Sequence, residues 1–250
     1  MLTRTLCCFK GVSAEAERSL WRKGCLSWRH LALSACRHFS EEKAKAVAAQ
    51  VPLCETALAA RVADFFVGRL PCGHKLRILP EFLEDMVFLD IETTGLERGA
   101  VITLIGLWRR GEVETFVRGL NLHDFVRVWR EIGVLATYNG ARFDLPFVMR
   151  EFGFSVRPPH IDLMAEARHW GLTGGLKAIE RRLGYSRTED ENGDGIDAIN
   201  LWQEYAEKNN EQALRHLTAY NTRDVLSLRL LSLHLWQLSC QNYDAPHPVF

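Results

Sequence analysis

Two hydrophobic periodicities divide the chain. Through residues 9–70 apolar side chains recur every three to four positions. That spacing predicts helices over 14–23, 27–36, 41–49 and 55–70, parted by Gly24, Ser40 and Pro52. A stretch containing Pro71, Gly73 and Pro80 follows and is expected as a linker, with a boundary near 80. Beyond it the pattern changes to short apolar runs bounded by turn residues. Runs at 86–92, 101–108 and 113–117 predict three strands, the last two joined by a tight turn at Arg110-Gly111. Asn121 with Asp124 resembles a capping box and predicts a helix over 124–132. A fourth strand is expected over 134–138, a helix over 142–152 stopped by Gly153, and a short fifth strand over 160–163. Helices over 176–183, 197–208 and 211–238 follow. Three early strands suited to antiparallel pairing, then alternating helices and strands, describe an α/β fold. Its expected form is a mixed five-stranded sheet flanked by helices, behind a small N-terminal helical module. The expected organisation is therefore a helical module with its linker over 1–80, an α/β domain over 81–240 and a tail over 241–250.

Composition excludes several classes. The 250 residues are 47% hydrophobic and 25% charged, ordinary globular proportions that rule out wholesale disorder, collagen and disulfide scaffolds. No apolar run approaches the ~20 residues needed to cross a bilayer, so no membrane partner is expected. The formal net charge is zero, from 31 basic and 31 acidic residues, but it is unevenly placed. Residues 1–80 carry 13 Lys and Arg against 6 Asp and Glu, a net of +7; the remainder carries 18 against 25, a net of −7. A basic module suits a polyanion, and an acidic domain needs cations to act on one. Six of the seven cysteines lie in the basic part without a C-x-x-C pair. They read as reduced thiols, so a cytoplasmic location is expected. Cys36 with His38 and Cys72 with His74 fit no zinc-finger spacing. Glu15 and Glu17 argue against a transit peptide, and the start is read as part of the fold.

Three stretches carry candidate chemistry. In Val87–Glu92 the alternation of a strand points Asp90 and Glu92 to one face and Leu89 and Ile91 to the other. Two such carboxylates repel unless solvated at a strand end or bridged by a cation. In Tyr138–Asp144 the chain passes from a strand through a glycine turn into a helix; Asp144 there is equally a dipole-favoured helix-start acid. In the last helix Leu214, Leu217, Tyr220, Asp224, Leu228, Leu231 and Leu235 share one face. A carboxylate in that apolar stripe must be paired, for which Arg223 and Arg229 are at hand, or must bind a metal. Taken together, the four acids could hold two divalent ions about 4 Å apart for phosphodiester hydrolysis. Oxygen ligands select Mg²⁺ or Mn²⁺.

DIETTG at 90–95, YNGARFD at 138–144 and YNTRD at 220–224 resemble the three motifs of the DEDD 3′–5′ exonuclease superfamily, which has an RNase H-like fold. The Tyr-x-x-x-Asp spacing resembles the tyrosine subclass. HIDL at 160–163, GGLKAIERRLG at 174–184 and YNTRDVLSL at 220–228 are most similar to the YprB-like ribonuclease H-like family. That resemblance covers about 81–238. FKGVSAEAERSLWRKGCLSW at 9–28 resembles the leader segment often joined to that family, with a helix-hairpin-helix flavour. The resemblance implies that Asp90, Glu92, Asp144 and Asp224 are metal ligands and that Tyr220 positions the attacking water. With an ordinary pKa of about 10, Tyr220 is a poor base. Asn139 and Thr93 are candidate substrate contacts, although Asn139 also suits a turn and Phe143 a core. The implied function is a two-metal 3′–5′ exonuclease on single-stranded DNA or RNA ends. The alternatives are an inactive nucleic-acid-binding scaffold and a metal-dependent endonuclease.

Other residues have plainer readings. The histidine subclass needs a histidine at 219, which is Ala219, so His216 reads as structural. Asp162 is a candidate support for the site rather than a ligand. Lys177 could touch a phosphate or merely face solvent. Residues 190–195 mimic a calcium loop, but Leu201 stands at the twelfth position where a bidentate Glu is required. The seven tryptophans read mostly as core.

Overall fold

The computed structural model describes residues 1–185, 187 and 195–240. Residues 190–194 of the calcium-loop mimic and the 241–250 tail lie outside the described residues. The chain divides into two compact units: Met1–Leu83 with the described residues from His234 onward, and Glu84–Leu233.

The first unit is helical, with α1 (Ala14–Arg22), α2 (Trp28–Ser34), α3 (Glu41–Ala48), α4 (Val51–Ala59), α5 (Ala63–Val67) and α6 (Leu79–Phe82). Ser13 and Ser27 cap α1 and α2 by accepting the amides of Ala16 and His30. The single helix expected over 55–70 is two. Arg61 takes a left-handed φ of 52°, which ends the first and turns the chain into the second. Pro52 does not separate helices but lies in the first turn of α4, where its missing N–H costs nothing. The stretch expected as a linker is anchored in the core, with Leu76, Ile78 and Leu79 buried. The core is aromatic: Trp28 stacks on Phe66 and donates its Nε1–H to the carbonyl of Thr5 at 2.8 Å. One ion pair is sealed inside this unit. Glu17 and Arg77 meet at 2.5 Å, with side chains 0% and 3% exposed. The other Glu17 oxygen accepts the amides of Leu6 and Cys7, while Arg77 donates twice to the carbonyl of Ser239.

The second unit is the expected mixed sheet. Its strands are β1 (Met86–Thr93), β2 (Ile102–Arg109), β3 (Glu112–Val117), β4 (Val134–Thr137) and β5 (His160–Asp162), in the order β3-β2-β1-β4-β5. β1 pairs antiparallel with β2 and β2 with β3; β1 and β4, and β4 and β5, are parallel. Arg110 and Gly111 both have positive φ and join β2 to β3 in the expected tight turn. The helices are α7 (Phe125–Glu131), α8 (Asp144–Phe152), α9 (Leu163–His169), α10 (Leu176–Arg182) and α11 (Gly195–Lys208), and α12 spans Glu211–Cys240. Gly153 stops α8 in a left-handed conformation, as expected. The capping box at Asn121 does not form. Its side chain turns back to β3 instead, accepting the amide of Val117 at 2.8 Å and donating to the carbonyl of Thr115 at 3.1 Å.

Strand alternation sorts the sheet into two faces. Val87, Leu89 and Ile91 pack with Ile105, Leu107, Phe125, Trp129, Leu145 and Val148. On the other face Leu104 and Val117 pack with Ala198, Trp202, Leu217 and Tyr220. A bulge between β1 and β2 shifts the pairing from Glu92–Leu104 to Thr93–Ile102. The extra residue explains why Ile102 joins the first face although Leu104, two positions on, lies on the second. It also ends regular pairing beside the two acids of β1.

Candidate active site

Asp90 and Glu92 are one pleat apart on β1 and therefore share the face that carries Leu104 and Gly106. The apolar stripe of α12 covers that face. Leu217, Tyr220, Leu228 and Leu231 are buried as their spacing predicts, and Asp224 is buried among them. One carboxylate oxygen each from Asp90, Glu92 and Asp224 lies within 4.8 Å of the others. Among the described residues this is the one group of three or more acidic, histidine or cysteine side chains that close.

Asp144 stands outside that trio, at the first turn of α8. β1 runs on past Phe88, its last residue paired to β4, and the backbone of Ile91 favours the Asp144 anion. Gly140 makes this approach possible: a Cβ there would lie 2.0 Å from Thr137 Oγ1 and 2.9 Å from Asp144 Oδ2. The turn before α8 is held by Asp162, whose carboxylate accepts the amides of Asn139 (2.9 Å), Ala141 (3.3 Å) and Met164 (3.0 Å). Asn139 takes a left-handed φ of 63°. Phe143 packs against the core and against Phe147, as its plainer reading anticipated. Thr93 is buried and donates its hydroxyl to the carbonyl of Gly95 at 2.7 Å.

Burial dominates the electrostatics. It raises Glu92 to about 8, with the charges of Asp224 and Asp144 adding to it and the Asn221 hydrogen bond opposing. Asp144 is raised by burial to about 7, against the backbone of Asp144 and Ile91, which favours its anion. Asp90 is pushed well up by burial and by Asp224, Glu92 and Asp144. Asp224 is also raised by burial, with Arg187 pulling the other way. Burial and the charges of Asp224, Glu92 and Asp90 hold the Tyr220 hydroxyl well above its ordinary range, so it stays protonated.

Several residues of the site were not read from sequence. Arg187 forms the ion pair to Asp224 and a two-pronged pair to Glu180 at 2.6 and 2.8 Å. Burial would lower it, but the two acids outweigh that and raise it. The expected alternative partner Arg229 instead lies over the Trp108 ring at 4.8 Å. Lys177 does not simply face solvent: its ammonium sits 4.7 Å above the Tyr220 ring, and its charge favours the anions of Glu92 and Asp224. Asn221, completely buried, donates its amide to Asp90 Oδ2 (2.9 Å) and Glu92 Oε1 (3.2 Å). An isolated glycine inside a strand pattern, Gly106, was the available signal for a close approach there.

The donor set fits a hard divalent cation. Three oxygens converge, their anions are disfavoured by mutual repulsion and burial, and one guanidinium with one ammonium does not neutralise four carboxylates. A family model of the RNase H superfamily matches residues 87–236. The structure of the family B DNA polymerase from the hyperthermophilic archaeon Pyrobaculum calidifontis is similar over 64% of this chain, at a TM-score of 0.50 and 18% identity. The chain spans 27% of that polymerase, and at this identity the likeness concerns the fold alone. The Aedes aegypti Nibbler EXO domain aligns over 68% of this chain and 86% of its own, at 13% identity and a TM-score of 0.38. No curated protein matches the chain. No helix among the described residues is long and apolar enough to cross a membrane.

Proposed function

The chain belongs to the RNase H superfamily, and from that premise we propose that it is a metal-dependent nuclease, specifically a DEDD-type 3′–5′ exonuclease of the tyrosine subclass. Its substrate is a single-stranded DNA or RNA end. The observation that carries the proposal is the convergence of Asp90, Glu92 and Asp224 within 4.8 Å, in a place where anions are costly. Asp90, Glu92, Asp224 and Asp144 hold two Mg²⁺ or Mn²⁺ ions. When bound, such ions offset charge on the scissile phosphate and lower the pKa of water. Tyr220 keeps its proton, so its hydroxyl orients a water or phosphate oxygen rather than acting as base. Lys177 fixes the Tyr220 ring from above and places a positive charge beside the carboxylates. Arg187, gripped by Glu180, steadies Asp224. Asn139, in the turn before α8, and Thr93, at the end of β1, contact the substrate strand. The YprB-like likeness and a cytoplasmic location belong to the same reading.

End-labelled DNA and RNA strands supplied with Mg²⁺ or Mn²⁺ test it. The expected products are mononucleotides released from the 3′ end, abolished by chelator. No release with either metal overturns the enzyme. Cutting of a circular single strand replaces the exonuclease with an endonuclease.

A further inference from the structure

Asn221 sits beside Tyr220 on α12, completely buried, with its amide aimed at β1. Its two N–H groups reach Asp90 Oδ2 and Glu92 Oε1, and its Nδ2 also lies 3.4 Å from the Asp90 carbonyl. One amide thus spans two like-charged groups that would otherwise push apart. The other end of the side chain has no such reward, because Asn221 Oδ1 is buried without a hydrogen-bond partner. A structure tolerates an orphaned buried acceptor only where something else fixes the group in place. That oxygen points at Gly106 of β2, directly across from Asp90 in the ladder. A Cβ on Gly106 would lie 1.8 Å from Asn221 Oδ1 and 3.0 Å from its Cγ. A glycine in the middle of a buried strand sacrifices packing and conformational entropy. Here the vacated volume is occupied by the asparagine.

We propose that Asn221 is the positioning residue for Asp90 and Glu92, and that Gly106 exists to admit it. The amide sets the separation of the two carboxylates before any cation arrives. This rests on the metal-site reading above. An outer partner that orients metal ligands is worth about ten- to a hundredfold in metal affinity.

The test is Mn²⁺ binding by the full chain without nucleic acid, followed by the loss of the free-ion paramagnetic resonance signal. Asn221→Ala should bind Mn²⁺ at least about tenfold more weakly than the wild type while remaining folded. Gly106→Ala should show a similar loss, since the new methyl displaces the amide. The decisive measurement is the double variant Gly106→Ala/Asn221→Ala, which should bind about as well as Asn221→Ala alone, because the methyl then meets only the Val225 Cγ2 methyl at 3.2 Å, which has to give by a few tenths of an ångström. Wild-type affinity in Asn221→Ala, or losses that simply add in the double variant, overturns the proposal. Should Asn221→Ala fail to fold, Asn221→Ser replaces it with the same two outcomes. If the wild type and Asp90→Asn bind Mn²⁺ equally or not at all, the metal-site reading itself falls, a result distinct from a wild type that binds and an Asn221 variant that binds just as well.

Discussion

Glu17 in the first unit is sealed from water, and in the Asp90–Glu92–Asp224 group of the second Glu92 and Asp224 are buried and Asp90 half-buried, yet their surroundings differ in kind. Around Glu17 both oxygens are served by Arg77, Leu6 and Cys7, and Arg77 is in turn served by Ser239. Around the second group the acids are one another's neighbours; burial raises Asp90, Glu92 and Asp224, and the charge of Asp224 adds to it at Asp90 and Glu92. A buried charge that is fully paired holds a fold together; a buried cluster that is underpaired is a receptor for positive charge. The lesson is that burial alone does not separate a structural acid from a functional one. The sum of charge around it does.

Substitution should break this symmetry in opposite directions. Asp90→Asn removes one of the mutually repelling acids, so it should raise the melting temperature of the metal-free protein. In the same variant nucleotide release should fall by about a thousandfold or more, equivalent to about 4 kcal/mol in the barrier. A thermal melt and an end-labelled digest read the two effects, and unchanged release removes Asp90 from the site. Arg77→Met makes the contrasting change. It strands Glu17 inside the first unit and should cost about 3–5 kcal/mol, visible as a lower urea midpoint. A stable Arg77→Met protein would mean that the pair is not what secures this unit.

The next largest effect is on pH. Glu92 and Asp144 keep their protons to about 8 and about 7 in the folded chain, against ordinary values of 4.5 and 3.8. The folded state therefore binds more protons than the unfolded one between about 4 and about 8, and stability must fall as pH rises through that window. Above it the slope from these two groups vanishes. Metal-free protein should lose a few kcal/mol across the interval, and saturating Mg²⁺ or Mn²⁺ should flatten the curve. A flat profile without metal would show that the acids are better compensated than their surroundings indicate.

The parts of this comparison differ in how far they could be read from sequence. Asp90 with Glu92 and the placement of Asp224 were legible because period two on a strand and period 3.6 on a helix each name a face. The antiparallel start of the sheet was legible in the three early apolar runs and in the Arg110-Gly111 turn, whereas the strand order was not. The partners were not. Arg187 is 37 positions from Asp224, and no periodicity connects a loop arginine to a helix acid. Asn221 lies one step off the stripe, so its neighbour Tyr220 draws the eye. Glu17 and Arg77 are 60 residues apart, and nothing in the sequence pairs them before the fold closes on them. The short helix α9 was missed because seven residues carry too little pattern, although its cap, Asp162, was in view.

Asp162 offers a smaller version of the contrast, an acid compensated entirely by backbone. Its carboxylate takes three amides, two from the turn before Asp144 and one at the start of α9. Asp162→Ala should cost about 1–2 kcal/mol, as the loss of a helix cap does. Release should drop more than this stability loss explains, because the turn that delivers Asp144 loosens. An activity loss fully restored by cooling to equal stability would make Asp162 a cap and nothing else.

The smallest expected effect concerns Asn139, because the turn uses its backbone while the proposed substrate contact uses its side chain. Its φ of 63° is a conformation that glycine adopts freely, and its amide is already taken by Asp162. Asn139→Gly therefore keeps the turn and deletes only the side-chain amide. Stability should stay within about 0.5 kcal/mol, whereas Asn139→Ala should cost about 1 kcal/mol because its Cβ resists the left-handed region. With the turn intact, a rise in KM of a few fold at unchanged kcat in Asn139→Gly marks a substrate contact. Identical KM values assign Asn139 to the turn alone, leaving recognition of the strand to Thr93, Lys177 and the carboxylates themselves.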